Sequence, residues 1–219
     1  MRKYTGKGTT FGSLHSARHL HLIQQSVEIG PAVPHLNLVE VPGSNGFVDL
    51  TEAQGFISYG IRTHKWTFAL YPGDDWPTRH SSVSNLLNGK RVHATIDDDK
   101  QWYYDGRLEV SDLKSDKLLR QIVITMHAMP HKLRHVETSL TREISVEPIT
   151  VGLAIGEMPV IPVLTSNRPF SVAWRGVSYA RDAGTHTIPA LRMSGNQELT
   201  LASQSGTGTV TIVWREGSL

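Results

Sequence analysis

The chain has 219 residues, of which 39% are hydrophobic and 19% charged, and 22 basic against 20 acidic side chains leave a formal charge of +2. That length suits one large or two small domains with buried cores, and the balance excludes a disordered chain and argues against a dedicated nucleic-acid binder, which shows a strong basic patch. There are no cysteines, which excludes disulfides, thiolate catalysis and thiolate metal sites and fits synthesis in a reducing cytoplasm.

The first eight residues are polar and glycine-rich, without the apolar run of a signal peptide. No later stretch approaches the roughly 20 apolar residues of a membrane helix. Residues 9–11 read as a short strand, 13–18 as a turn, and 20–29 as a strand whose apolar residues change face, which predicts a bulge near Gln24 and Gln25. Gly30-Pro31 and Pro34 mark a loop. A short strand over 36–41 ends at Pro42, Gly-Ser-Asn-Gly over 43–46 is a hairpin turn, and a second short strand covers 47–50. A polar loop with Thr51, Glu52 and Gly55 leads to a long strand. There Trp66, Phe68 and Leu70 alternate with Lys65, Thr67 and Ala69, so one face is buried and one wet.

After a turn at 72–75, residues 76–87 form the one convincing helix. Asp75 caps it, Pro77 fits its first turn, and Gly89 stops it. Trp76, His80, Val83 and Leu87 share a face, with Leu86 beside them. Strands follow at 91–96, 102–111 and 122–126, separated by an acidic turn at 97–100 and a polar turn at 113–116, and Pro130 ends the last. Residues 131–148 are polar, and the domain boundary falls there, near Glu137: an N-terminal domain of 1–137 and a C-terminal domain of 138–219. A strand at 140–146 fits either side. Beyond it, short strands at 160–164, 170–174, 184–188, 198–202 and 209–214 are punctuated by Gly, Pro and Ser, the rhythm of a β-sandwich. The fold class is mainly β with one helix.

Eleven histidines raise the question of a metal. His15, His19 and His21 form one group and His127, His131 and His135 another. Spacing four aligns ligands on a helix alone, and Pro130 lies inside the second group, so surface or interface histidines are the plainer reading and no metal site is assigned. Asp97, Asp98 and Asp99 lack the spacing of a calcium loop and read as an acidic turn. Glu52 has no partner carboxylate at a fixed offset, and neither a P-loop nor a nucleophile elbow occurs, so no catalytic residue, cofactor or enzyme activity is assigned.

The order of these residues resembles that of the distal tail protein family of long-tailed phages. The hallmark is Val41-Pro42-Gly43, Gly46, Asp49-Leu50-Thr51-Glu52, then Tyr59, Arg62 and Phe68. The match continues through Ser26 to Pro31, Leu86 to Arg91, DDDKQWYYDGRLEV from Asp97, and Ser115-Asp116, and ends in GNQELTLASQSGTGTVTIVWREGSL. The resemblance implies an N-terminal β-barrel or split sandwich with one helix, six copies of which close into a ring at the tail tip, and a C-terminal galectin-like β-sandwich. It also implies the partners: the chain itself as a homohexamer, the tail tube protein, the tail-associated fibre or lysin protein and, in some phages, receptor-binding proteins. DNA would pass through the lumen without specific binding, no membrane would be entered, and the protein would belong to the tail tip or baseplate of the virion.

A different reading makes the chain a carbohydrate-binding module in host-surface attachment. Asn167, Arg168, Trp174, Arg175, His186 and Asn196 are available for it, at spacings that are not the lectin pattern.

Overall fold

The computed structural model describes residues 6–43, 45–71, 73–111 and 120–219. The chain divides into two compact units, Met1–Lys132 together with Leu219, and Leu133–Ser218. The polar turn expected at 113–116, with Ser115-Asp116, lies outside the described residues.

The first unit contains β1 (Thr9–Phe11), β2 (Leu14–His15), β3 (Leu22–Ile29), β4 (Leu38–Glu40), β5 (Phe47–Asp49), β6 (Arg62–Leu70), helix α1 (Trp76–Leu87), β7 (Arg91–Ile96), β8 (Trp102–Val110) and β9 (Gln121–Ala128). Its main sheet runs β2-β1-β7-β8-β9-β6-β3, all antiparallel, while β4 and β5 pair with each other alone. The sheet curls until its two ends meet: the Leu22 N–H donates to Ser16 O at 2.9 Å, and Thr9 Oγ1 donates to Gln24 Oε1 at 2.7 Å. This is an incompletely closed barrel, in which few sheet-edge groups are left for water. The expected bulge is present, since the β3–β6 register shifts between Gln24 and Ser26.

Strand β6 forms because its residues alternate strictly, and Trp66 and Phe68 are fully buried on its inner face. Phe11 closes over them edge-on, 5.2 Å from the Trp66 ring. The alternation extends further than its apolar residues show: Arg62 and His64 point inward too and are buried. Helix α1 has the expected limits. Asp75 accepts from the Thr78 N–H at 3.3 Å, Pro77 sits in the first turn, and Gly89 follows with φ +74°. Trp76, Val83 and Leu87 are buried, but Leu86 is turned to solvent, because 100° per residue carries it off the stripe that Val83 and Leu87 define. Gly106 in β8 is required by close approach: a Cβ there would lie 2.5 Å from His127 O and 2.7 Å from Ala128 Cα.

Strand β10 (Lys132–Arg134) spans the split between the units. The second unit adds β11 (Thr138–Ile144), β12 (Ile149–Ala154), β13 (Val163–Ser166), β14 (Phe170–Trp174), β15 (Val177–Arg181), β16 (Gly184–Thr187), β17 (Asn196–Ser203), β18 (Gly208–Trp214) and β19 (Gly217–Ser218). Two four-stranded antiparallel sheets, β11-β18-β13-β16 and β12-β17-β14-β15, enclose a core of Phe170, Val172, Leu199, Leu201, Val210 and Ile212. This is the expected β-sandwich. Strand β13 starts later than expected. Val160 makes an isolated bridge to Met193 instead, and Pro162, next to Val163, has no N–H to give a ladder. The strand that fitted either side of the boundary is β11, paired along its whole length with β18.

A charged clamp binds the two ends of the second unit together. Arg134 Nη1 donates to Glu216 Oε2 at 2.8 Å and Thr138 Oγ1 to Glu216 Oε1 at 2.7 Å. Arg215 returns the grip, donating to Arg134 O at 2.6 Å, His135 O at 2.8 Å and Glu137 Oε1 at 2.8 Å. The Arg-Glu-Gly run near the C-terminus thus holds residues 134–138.

Two outcomes follow. Phe68→Ala should lower first-unit stability by about 3–5 kcal/mol through cavity formation, whereas Leu86→Ala should change it by less than about 0.5 kcal/mol, both read by denaturant unfolding. Arg215→Ala should expose residues 134–137 to limited proteolysis while β17 and β18 amides keep their exchange protection.

Candidate interaction arm

Residues 31–61 leave the sheet between β3 and β6 and form an arm. Its root is held by backbone bonds between the outgoing and returning chains: Gly60 N–H donates to Val33 O at 2.8 Å and His35 N–H to Ser58 O at 2.9 Å, with a further bridge between Pro34 and Tyr59. Further out, β4 and β5 form the hairpin that the Asn-Gly turn predicts, in the register Leu38 to Asp49, Val39 to Val48 and Glu40 to Phe47. The hallmark residues build the base of this hairpin. Asp49 Oδ1 accepts the Thr51 N–H at 2.9 Å, Thr51 Oγ1 accepts the Asn37 N–H at 3.0 Å, and Leu50 N–H donates to Asn37 O at 2.8 Å. The Asp49 carboxyl is held below its ordinary range by the Thr51 hydroxyl and then by its N–H. Pro42 and Gly43 end the first strand, Gly43 with φ +80°.

Both faces of this two-stranded sheet are exposed. Val33, Leu36, Leu38, Val39, Val41, Phe47, Val48, Leu50 and Ile61 are more than half of the large hydrophobic side chains exposed among the described residues, and Leu36 and Phe47 are 64% and 59% exposed. A lone hairpin is marginally stable in water, and monomers rarely expose apolar patches so concentrated. Such a concentration of exposed apolar side chains makes the arm the candidate interaction surface of the first unit. Sequence reasoning found the hairpin but not its exposure, because period-two alternation says that one face is buried without saying against what.

The histidines do not gather. His15 is buried, its Nε2 3.0 Å from Asp97 Oδ2 and its Nδ1 accepting the Ala17 N–H at 3.1 Å. His19 Nδ1 accepts the His15 N–H at 2.8 Å, and His21 occupies left-handed backbone with φ +53°. His127 faces Glu109 from β9, His131 meets the Tyr59 ring, and the His135 carbonyl belongs to the clamp of the second unit. No three His, Asp or Glu side chains come close enough to share a metal ion among the described residues.

The acidic turn is shared among partners within the protein itself. Asp97 pairs with His15, Asp98 with Lys7, and Asp99 with Lys132 at 2.6 Å, whose ammonium also lies 5.1 Å from the Trp102 ring centre. Burial acts to raise the Asp97 carboxyl. Hydrogen bonds from His15 and the Gly8 N–H, with the charges of His15 and Lys100, outweigh it and hold the group below the usual aspartate range. Three carboxylates close in sequence thus fasten the N-terminal stretch, at Lys7 and His15, and the segment at Lys132.

Four of the six lectin candidates are likewise used internally. Asn167 Oδ1 accepts the Thr209 N–H at 2.8 Å, His186 Nε2 lies 2.9 Å from Asp182 O, and Trp174 Nε1 donates to Gln197 Oε1 at 3.1 Å beneath the Arg175 guanidinium.

Millimolar magnesium, calcium or zinc should leave the thermal midpoint of the first unit unchanged, while Asp97→Asn should lower its stability by about 1–3 kcal/mol through loss of charged hydrogen bonds.

No family profile matches the chain, and no curated protein matches it in sequence. Among solved structures, the chain is similar to the SPP1 Dit protein (gp 19.1), described as a paradigm of hub adsorption apparatus in phages infecting Gram-positive bacteria. The TM-score is 0.66 at 12% sequence identity, over 98% of this chain and 100% of that one. The chain therefore has the fold of the SPP1 Dit protein over 98% of its length.

Proposed function

We propose that this protein is the structural hub of a long-tailed phage tail tip. The observation that carries the reading is the fold likeness to a hub adsorption protein over 98% of the chain, both units included. Six copies form a ring through their first units. The ring joins the tail tube to the tail-associated fibre or lysin protein and, through its outer surface, to receptor-binding proteins. The second unit is a galectin-like sandwich and a separate domain. No catalytic group is needed, and DNA passes through a lumen that does not grip it, in keeping with a charge of +2.

The exposed arm supports self-assembly. Its apolar side chains need a partner surface, and a ring of identical copies supplies one to every arm. An arm of this kind adds buried area without demanding a flat interface.

The mass of the purified protein in solution tests the reading. A hexamer is expected by light scattering, alone or with the tube protein, and rings by electron microscopy. Replacing Phe47 and Val48 together by Ser should leave the thermal midpoint of the fold unchanged and abolish the ring. A monomer under every condition, including high concentration with the tube protein present, would sink it.

A further inference from the structure

The arm leaves the main sheet of the first unit at Gly30, and that residue is gripped at both ends. Its N–H donates to His64 Nδ1 at 3.2 Å, and its carbonyl accepts from Arg62 Nε at 2.7 Å. A Cβ on Gly30 would lie 2.2 Å from Thr63 O, so the chain lies flat on β6 with no room to shift. Arg62 Nη1 also donates to Pro130 O at 3.0 Å, and the Arg62 guanidinium lies 5.9 Å from the Tyr104 ring centre. On the returning side of the root, Tyr59 meets the His131 ring edge-on at 5.8 Å.

His64 is fully buried and its Nε2 has no hydrogen-bond partner. Because Nδ1 accepts the Gly30 N–H, the neutral ring carries its proton on Nε2. A second proton must then go to Nδ1, the atom that holds Gly30. It would remove the acceptor, set two donors face to face and place a second positive charge beside Arg62. The groups packed on His64 offer no compensation. Arg62 is on its own strand, Tyr104 lies across from β8 with ring centres 4.4 Å apart, and the residues opposite in register are Ile29 of β3 and Met126 of β9. His131, beyond β9, is subject to the same Arg62 charge, and no carboxylate is among the groups acting on His64.

We propose that His64 is an acid-released latch on the arm: its neutral ring holds the arm's entry at Gly30, and a proton on Nδ1 lets it go. This rests on the reading of the arm as the surface that docks on a second copy, whose geometry the latch would then regulate. Burial, and then the Arg62 charge, lower His64 from 6.5 to about 4. The latch therefore holds at neutral pH and weakens as the pH falls towards about 4, because release of Gly30 frees Nδ1 for a proton that the latched ring refuses.

The test is an NMR titration of the full chain, labelled at glycine nitrogen and histidine carbon, from about pH 7.5 to about pH 3.5. The Gly30 amide resonance should move with the midpoint of the His64 ring, identified by its contact with Tyr104. Exchange at the His35 and Gly60 amides, corrected for the intrinsic pH dependence, should accelerate in step. In His64→Asn, whose side-chain oxygen can accept the Gly30 N–H without titrating, the Gly30 amide should stay still. The wild-type titration decides the matter even if that variant does not fold: a Gly30 amide that is unmoved while His64 titrates, or that follows His131 instead, overturns the latch. Light scattering at pH 7, at high concentration and with the tube protein present, separates the two ideas, since a monomer under all these conditions would sink the assembly reading and leave the latch standing.

Discussion

The first unit depends on the inner face of one strand. Along β6, Arg62, His64, Trp66, Phe68 and Leu70 all point inward, and the strand is bonded on both sides, to β3 and β9. Its apolar half organises the core, where Trp66 and Phe68 meet Phe11 and complete burial makes each aromatic worth several kcal/mol. Its polar half does something different. Arg62 and His64 are buried with hydrogen bonds to the chain at Gly30 and Pro130, the places where the arm departs and where β9 ends. A buried guanidinium is tolerable because it is bonded to two carbonyls and lies over an aromatic ring. The same strand therefore holds the core and orients the segment that leaves it.

That arrangement suits a surface arm with no core of its own. The hairpin β4–β5 gains little from its own pairing, and its apolar residues are wet on both faces. A fixed root limits the conformations available to it and so reduces the entropy lost on docking. The turn at its base, built by Asp49, Thr51 and Asn37, does the same locally through three hydrogen bonds. Preorganisation at both levels is consistent with a segment that finds its surface in assembly.

Charge is used in both units to fasten chain segments. Asp97, Asp98 and Asp99 each take a different partner, and two of those partners, Lys7 and His15, lie in the N-terminal stretch, where they add to the pairing of β1 with β7. In the second unit, Arg134, Glu137, Arg215 and Glu216 join the first residues of the sandwich to its last. These pairs are partly exposed and add modest stability, but the bonds from Arg215 to two carbonyls are geometrically specific, as a planar guanidinium allows.

Local chemistry made much of this legible in advance. Helix α1 was set by Asp75, Pro77, Gly89 and a 3.6-residue stripe, the hairpin by Asn-Gly, and the strands by alternation, because each of these signals acts over a few residues. The sandwich rhythm was visible as well, although β12 and β15 escaped notice and β13 starts later than the apolar run implied. What the tertiary structure decided was partnership. Nothing in the order of residues says that Asp97 meets His15 across 82 positions, or that Gly30 meets His64 across 34. Alternation over residues 65–70 marked Trp66 as buried but said nothing of Arg62 and His64, which the strand carries on the same face into the interior. Above all, period two buries one face of a strand only when a second layer is there to cover it. For β6 the fold supplies that layer; for β4 and β5 this chain does not.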